Sequence, residues 1–344
     1  MNRDSQEACT IKKNVYNTIM LYKDAGVDID LLNIIRKGIG KQILKTYQKH
    51  IKPTFGLFGG IYPLGDSYLV SSVDSVGTKI LAACGTDKHN TIGQDIVNHC
   101  INDILTTGAI PLFFMDYIGF SDLEKNVLLQ IVKGLVDGCK KEKLILIGGE
   151  TAKLTRFYPK GIYDLVGFVV GKVSKKNYID TTKIRPGDII LGLKSSGLHT
   201  NGYSLARKVL LRKYTFSTYV PELKCTIGEE LLKIHLSYRR QLEPRLKFVK
   251  GLAHITGGGF YDNIKRIMPN NCAAIIRKKS WRPHVIFKLI QSMGNVPDEE
   301  MYRVFNMGIG MVIITEESSL QHFKPLRPKK IGEIVKGDFG VKIQ

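Results

Sequence analysis

Three runs decide the fold: Tyr68-Leu-Val-Ser-Ser-Val-Asp74-Ser-Val-Gly-Thr-Lys79, then Thr91-Ile-Gly-Gln-Asp95-Ile-Val-Asn-His99-Cys-Ile-Asn102-Asp103-Ile-Leu-Thr-Thr-Gly108, then Pro111-Leu-Phe-Phe-Met-Asp116-Tyr. In the middle run Ile92, Ile96, Val97, Cys100, Ile101, Ile104 and Leu105 recur at helical spacing and wrap most of a cylinder in apolar contact. One narrow stripe differs. At about 100° per residue Asp95 and Asn102 nearly superimpose, with His99 and Asp103 close beside them. A helix buried on most sides must give such carboxylates charge partners, because an unpaired buried carboxylate costs several kcal/mol. The flanking runs alternate or cluster like strands, and they deliver Asp74 and Asp116 at or near strand ends.

Working outward, Tyr22–Asp30 is a polar turn followed by a helical pattern through Leu31, Leu32, Ile34, Ile35 and Ile39. Residues 1–13 read as a loose arm, and Thr54-Phe-Gly56-Leu-Phe-Gly59-Gly60 as a glycine-punctuated mobile loop. Glu124–Lys141 is an amphipathic helix, Lys143–Ile147 a buried strand running into Gly148-Gly-Glu150-Thr151, and Ile162–Val173 a strand. A second unit of similar make-up starts near Lys172. Its pattern predicts a strand at Ile189–Lys194 before Ser195-Ser-Gly-Leu-His199-Thr-Asn201-Gly202, a helix at Tyr203–Lys213, and an irregular stretch over 214–228. A mostly helical Glu229–Phe248 and a strand into Gly257-Gly-Gly259 follow, then alternating helices and strands to the C-terminus. The chain thus divides into two α/β domains with mixed sheets, residues 1–172 and 173–344.

At 344 residues and 43% hydrophobic, the chain has enough apolar material for two cores. No apolar run approaches the roughly 20 residues that span a bilayer. The polar start Met1-Asn-Arg-Asp-Ser-Gln-Glu lacks a signal core, and the six scattered cysteines form no Cys-x-x-Cys pair. These features predict a reducing compartment, the cytoplasm, and no membrane partner. The net charge of +20 raises nucleic-acid binding, but the basic residues are dispersed and not interleaved with aromatics. A solvated surface that attracts phosphorylated metabolites is the better reading, with no nucleic-acid partner.

Standard nucleotide fingerprints are absent: Gly167-Phe-Val-Val-Gly171-Lys172 is one residue short of a P-loop and lacks its Ser or Thr. What remains is an acidic set, Asp74, Asp95, Asp103, Asp116 and Glu150, of the hard-oxygen kind that suits magnesium with phosphates. Caps and salt bridges are the alternative uses of the same acids.

Tyr22-Lys-Asp-Ala-Gly-Val-Asp-Ile-Asp30, Val76-Gly-Thr-Lys79, Asn102-Asp103, Pro111-Leu-Phe-Phe114, Gly148-Gly-Glu-Thr151, Ser195–Ser204, His254-Ile-Thr-Gly-Gly-Gly-Phe260 and Glu300–Gly310 together resemble the phosphoribosylformylglycinamidine cyclo-ligase family, in order and from about residue 16 onward. The resemblance implies two α/β domains, with N-terminal domains of two subunits pairing into a β-barrel. It implies an ATP- and magnesium-dependent homodimer that closes the imidazole ring of formylglycinamidine ribonucleotide after phosphorylating its formyl oxygen. It further implies Asp74, Asp95, Asp103 and Glu150 toward metal, and Lys23, Lys79, Gly59, Gly60, Asn201 and Asn306 toward ATP. His199, with Lys79 and Asp95, would serve the chemistry. The chain departs from the family at Ser75, at Ala152-Lys-Leu-Thr-Arg156, and at Ile234-His-Leu-Ser-Tyr238, where a Pro-Thr-Arg-Ile-Tyr-like segment is usual. Selenophosphate synthetases and thiamine-monophosphate kinases, which share the ATP-binding architecture, are the nearest rivals; Cys9 lacks the glycine-rich setting the former needs. A non-catalytic nucleic-acid binder is the rival of another class, and steep salt dependence would mark it.

Overall fold

The computed structural model describes residues 19–48 and 56–344, so the arm at 1–13 and the start of the glycine-punctuated loop lie outside the described residues. Helix α1 (Ile29–Ile43) is capped by Asp28, whose carboxylate accepts from Leu31 N, and leads toward β1 (Gly60–Leu64) and β2 (Ser67–Ser75). Then come α2 (Ile80–Thr86), α3 (Ile92–Leu105), β3 (Ile110–Phe120), α4 (Lys125–Lys141), β4 (Ile145–Lys153) and β5 (Tyr163–Ser174). The strands form one sheet in the order β1-β2-β5-β3-β4, antiparallel except for the parallel β3–β4 pair.

The second half runs β6 (Ile189–Lys194), α5 (Tyr203–Leu210), β7 (Tyr219–Val220), β8 (Cys225–Thr226), α6 (Ile227–Leu231) and α7 (Arg239–Leu242). It continues through β9 (Gly251–His254), α8 (Gly259–Lys265), β10 (Cys272–Ile276), α9 (Val285–Gly294), α10 (Asp298–Val304), β11 (Ile309–Thr315), β12 (Lys329–Lys336) and β13 (Gly340–Ile343). Its mixed sheet is ordered β13-β10-β12-β6-β11-β9. Buried β6 and β11 at its centre are continuous apolar runs, as strands covered on both faces should be.

Every residue of α3 is buried. It lies on β2 and β5, against α4, and touches α7 and β9 of the second half. The α3–α4 crossing is close because Gly93 and Gly134 meet there: a Cβ on Gly93 would stand 2.2 Å from Leu135 N. Gly93→Ala is therefore expected to lose about 1–3 kcal/mol by overpacking, read as a lower urea midpoint.

Two expectations are corrected. The strand expected to be buried at 143–147 is the exposed edge strand β4, with Ile145 at 65% and Ile147 at 53% exposure. Among the described residues, the sheet face opposite α3 is left largely open, with Val73 at 64% exposure. The mostly helical segment expected at 229–248 is broken, because residues 232–238 leave the helix. Their backbone is taken up by the polar stripe of α3. Asp95 Oδ1 accepts from His235 N at 2.7 Å and Asn98 Nδ2 donates to His235 O at 2.7 Å. Asn102 donates to Leu236 O at 2.8 Å and accepts from Tyr238 N at 2.9 Å. Buried backbone groups need partners, and here α3 supplies them across the junction of the two halves.

Candidate active site

Asp74 ends β2, Ser72 precedes it on the same face, and both point at α3. His99 on α3 lies with Nε2 2.9 Å from Asp74 Oδ2 and 3.7 Å from Asp103 Oδ2. Asp103, one turn further along, also accepts from Ser72 Oγ at 3.0 Å and from His254 Nδ1 at 2.8 Å. The strand end, the buried helix and β9 of the second half thus bring two carboxylates and two imidazoles into one cluster. Asp74 keeps 46% side-chain exposure, so the cluster opens to solvent on its side.

Burial by itself would push the His99 pKa down, but the carboxylates of Asp74 and Asp103 override it and lift it to about 9. Burial works upward on Asp74, yet His99 and the Ser75 N–H hold its carboxyl below the usual range. Linkage gives the sign. His99 has its pKa raised on folding, so its contribution is complete below the unfolded value near 6.5 and is lost as pH rises toward 9. The free energy of unfolding is expected to fall over that window by up to about 3 kcal/mol, since each tenfold gain in proton affinity is worth roughly 1.4 kcal/mol. Urea unfolding at several pH values checks it, and His99→Gln should lack this part of the fall.

Lys79 and Asp95 form a second, closed arrangement. Both are 0% exposed, with Lys79 Nζ 2.8 Å from Asp95 Oδ2 and donating its hydrogen bond to Lys233 O at 2.7 Å. Burial lowers the Lys79 pKa and raises that of Asp95, and each partner opposes the shift of the other. Both groups are spent on each other and on the backbone of 233–235.

His199 is 1% exposed and sits at φ +63°, a left-handed conformation rare for a non-glycine residue. Its Nε2 accepts from Ser196 N at 3.2 Å, its Nδ1 is buried without a hydrogen-bond partner, and its ring stacks on His235 with centroids 4.0 Å apart. Burial, then His254 and Lys79, push its pKa well below the ordinary value, so the ring is neutral. Asn306 pins the loop that carries it, donating to Gly197 O at 2.9 Å and accepting from Ser195 Oγ at 3.0 Å. Asn201 donates to Thr200 Oγ1 at 3.3 Å, and Thr200 Oγ1 is 2.8 Å from His99 Nδ1.

The structure separates the remaining sequence candidates from this cluster. Glu150 is exposed on β4, three strand spacings from β2, about 14 Å across the sheet. Asp116 shares the register row of Asp74 through Gly167 but lies two strands away. Lys23 is exposed in a single 3-10 turn, and Gly59 and Gly60 lead into the edge strand β1, Gly60 pairing with Ser71.

Sequence reading gave no role to Arg266, Arg36, His235 or His254. Arg266 lies over the Phe58 ring at 5.0 Å and within the fields of Asp103 and Asp74. With Arg36, Lys37, Lys41, Lys265 and Gly56 it lines a cavity of about 750 Å³ between α1 and α8. Arg36 and Lys37 fall on α1 inside the helical pattern of Leu32, Ile35 and Ile39, and no linear motif announces the cleft. His254 was legible only as part of its glycine motif.

Comparison with known proteins bears on all of this. Residues 59–173 match the family model AIR synthase related protein, N-terminal domain, and residues 185–344 match its C-terminal domain. The phosphoribosylformylglycinamidine cyclo-ligase of Thermoanaerobacter sp. (strain X514) is 46% identical over 334 residues, covering 94% of this chain and 99% of that protein. The chloroplastic enzyme of the same name from Arabidopsis thaliana is 43% identical over 94% of this chain and 83% of its own. Among solved structures, AaThiL complexed with AMPPCP and TMP superposes with a TM-score of 0.65 at 16% identity, covering 95% and 96% of the two chains, a likeness of fold.

Proposed function

The chain belongs to the phosphoribosylformylglycinamidine cyclo-ligase family and performs its ring closure in purine biosynthesis, and from that premise we propose how its residues divide the work. The observation that carries the family reading is near-complete coverage in both directions at 46% identity. ATP is the phosphoryl donor and formylglycinamidine ribonucleotide the acceptor. An amide oxygen is a poor leaving group until it is phosphorylated; the neighbouring nitrogen then attacks the formyl carbon, and phosphate departs as the imidazole closes.

The triphosphate enters the basic cleft between α1 and α8, where Arg266, Arg36, Lys37, Lys41 and Lys265 supply charge. Asp74 and Asp103 would hold magnesium. The fit rests on their donor chemistry: hard carboxylate oxygens from two elements already converge on one cationic group, His99. When bound, magnesium supplies neutralisation of the transferring phosphoryl group. Lys79 and Asp95 act differently, holding 233–238 against α3 so that the His199 loop keeps its place. His199, neutral and with a free Nδ1, is the group to move a proton during ring closure.

The uncovered sheet face carries Val73, Phe168, Phe113, Val170 and Ile145 in facing register, with Val73 at 64% exposure. A second copy pressing the same face on it would close a β-barrel and make the homodimer. Sedimentation should give a dimer at micromolar concentration, and a monomer would count against this face as its interface. The cytoplasm suits the five described free thiols, although the Arabidopsis relative is chloroplastic.

The deciding assay is formation of ADP and phosphate, which should require formylglycinamidine ribonucleotide. Nucleic-acid binding with steep salt dependence and no turnover would overturn the reading. His199→Ala is expected to keep ATP affinity within a few-fold and to lower turnover by about 10²-fold. Near-normal turnover would return His199 to a purely structural role.

A further inference from the structure

Four buried histidines, His99, His199, His235 and His254, crowd the junction between the two halves. Their hydrogen bonds converge on one nitrogen-to-nitrogen contact. His254 Nδ1 lies 2.8 Å from Asp103 Oδ1, so that nitrogen carries a proton and donates it. In the neutral ring Nε2 is then a bare lone pair, and it stands 2.9 Å from His235 Nε2. The state of the second nitrogen depends on Thr200 and on Asn102. Asn102 Oδ1 accepts from Tyr238 N at 2.9 Å and its Nδ2 donates to Leu236 O at 2.8 Å, so the amide can sit only one way round. That turns Asn102 Nδ2, a donor, toward His235 Nε2 at 3.2 Å. His235 Nδ1 lies 3.3 Å from Thr200 Oγ1, a hydroxyl that can donate or accept. Where Nδ1 donates to it, two lone pairs face each other between side chains that are both 0% exposed, a contact that is repulsive unless a cation lies between them. Where Nδ1 accepts, His235 Nε2–H bonds His254 and the contact holds a single proton.

We propose that this gap is a binding site for a first-row transition-metal dication, zinc being the type case, held by Nε2 of His235, Nε2 of His254 and the imidazole of His199. Ligand atoms of the three lie within 4.8 Å of one another. The Nδ1 of His199 is buried without a hydrogen-bond partner, and it carries the proton of the neutral ring because Nε2 accepts from Ser196 N, so binding a metal costs this ring that long bond. Imidazole nitrogen suits zinc, copper, nickel and iron, whereas magnesium takes oxygen. The Asp103–His254 pair is the carboxylate–histidine arrangement that fixes the tautomer of a metal-binding imidazole. Tetrahedral zinc at 2.0–2.1 Å from each nitrogen sets donors about 3.3 Å apart. His235 and His254 need part by only a few tenths of an ångström, while His199, now stacked at 23° on His235, must tilt to turn a lone pair inward. His235 belongs to the segment where this chain departs from the Pro-Thr-Arg-Ile-Tyr-like run usual in the family it resembles. An ion there would withdraw His199 from proton transfer and act as a brake on turnover. Only that consequence rests on the ligase reading; the binding does not.

The competing occupant of the gap is a single proton. The full chain, stripped with a chelator, is dialysed against zinc in excess magnesium and its metal content measured. About one zinc per chain is expected, with His235→Thr binding it more than tenfold more weakly. Cobalt(II) added to the wild-type chain should give the intense visible bands of a tetrahedral, nitrogen-rich site. Equal zinc content in wild type and His235→Thr would overturn the proposal. So would an octahedral cobalt spectrum in wild type, which would leave the gap to a proton. The cobalt reading needs no variant, so it stands even where His235→Thr does not fold. Turnover measured with and without zinc then tests the brake separately.

Discussion

Asp95→Asn is expected to destabilise the chain by about 3–5 kcal/mol while leaving its magnesium requirement unchanged. Asparagine is nearly isosteric and keeps an oxygen for His235 N, so packing of α3 and the bond to the 233–238 segment can survive. What is lost is the charge opposite Lys79, whose side chain is 0% exposed. Removing one member of a buried pair leaves an uncompensated ion in low dielectric, which is the source of that magnitude. Adding Lys79→Met should recover much of the loss, since the double variant buries no ammonium. Urea unfolding of the single and double variants, with magnesium-dependent turnover on the same preparations, checks both parts. A large rise in the magnesium requirement with unchanged stability would return Asp95 to the metal-binding role that the family resemblance implies for it.

Asp74→Asn is expected to act mainly on the magnesium requirement. Asp74 is 46% exposed, but it is the nearer of the two carboxylates that raise the His99 pKa, so its neutralisation should cost a part of the roughly 3 kcal/mol linked to His99 and less than Asp95→Asn costs. If Asp74 and Asp103 hold the metal against the triphosphate, the variant should need much more magnesium. Its turnover should fall by at least about 10²-fold, because charge stabilisation of the transferring group supplies several kcal/mol. Binding of an ATP analogue as a function of magnesium gives a readout independent of turnover. Unchanged magnesium dependence would remove Asp74 from the site. The two variants together separate acids that look equivalent in the sequence.

They look equivalent because a helical wheel reports only which side chains share a face. The apolar wrap of Ile92, Ile96, Val97, Cys100, Ile101, Ile104 and Leu105 determined by itself that α3 would be buried, and the whole helix is. Periodicity likewise found β2, β3, β5, β6 and α4 to within a few residues, since burial on one or both faces sets those patterns. Ordered motifs were enough to name the family. Which member of the polar stripe does which task was decided by what packs against each turn. The first turn meets Lys79 and the backbone of His235, so Asp95 is consumed in an ion pair and a backbone bond. Asn98 and Asn102 meet the rest of a segment that reads as helix from its own residues, and their bonds to its backbone hold it out of the helix. Only Asp103, at the far end and beside the close of β2, reaches Asp74 through His99. The exposure of β4 and the basic cleft at Arg266 are tertiary facts of the same kind: the uncovered sheet face and the approach of α1 to α8 come from long-range packing, which no local spacing encodes.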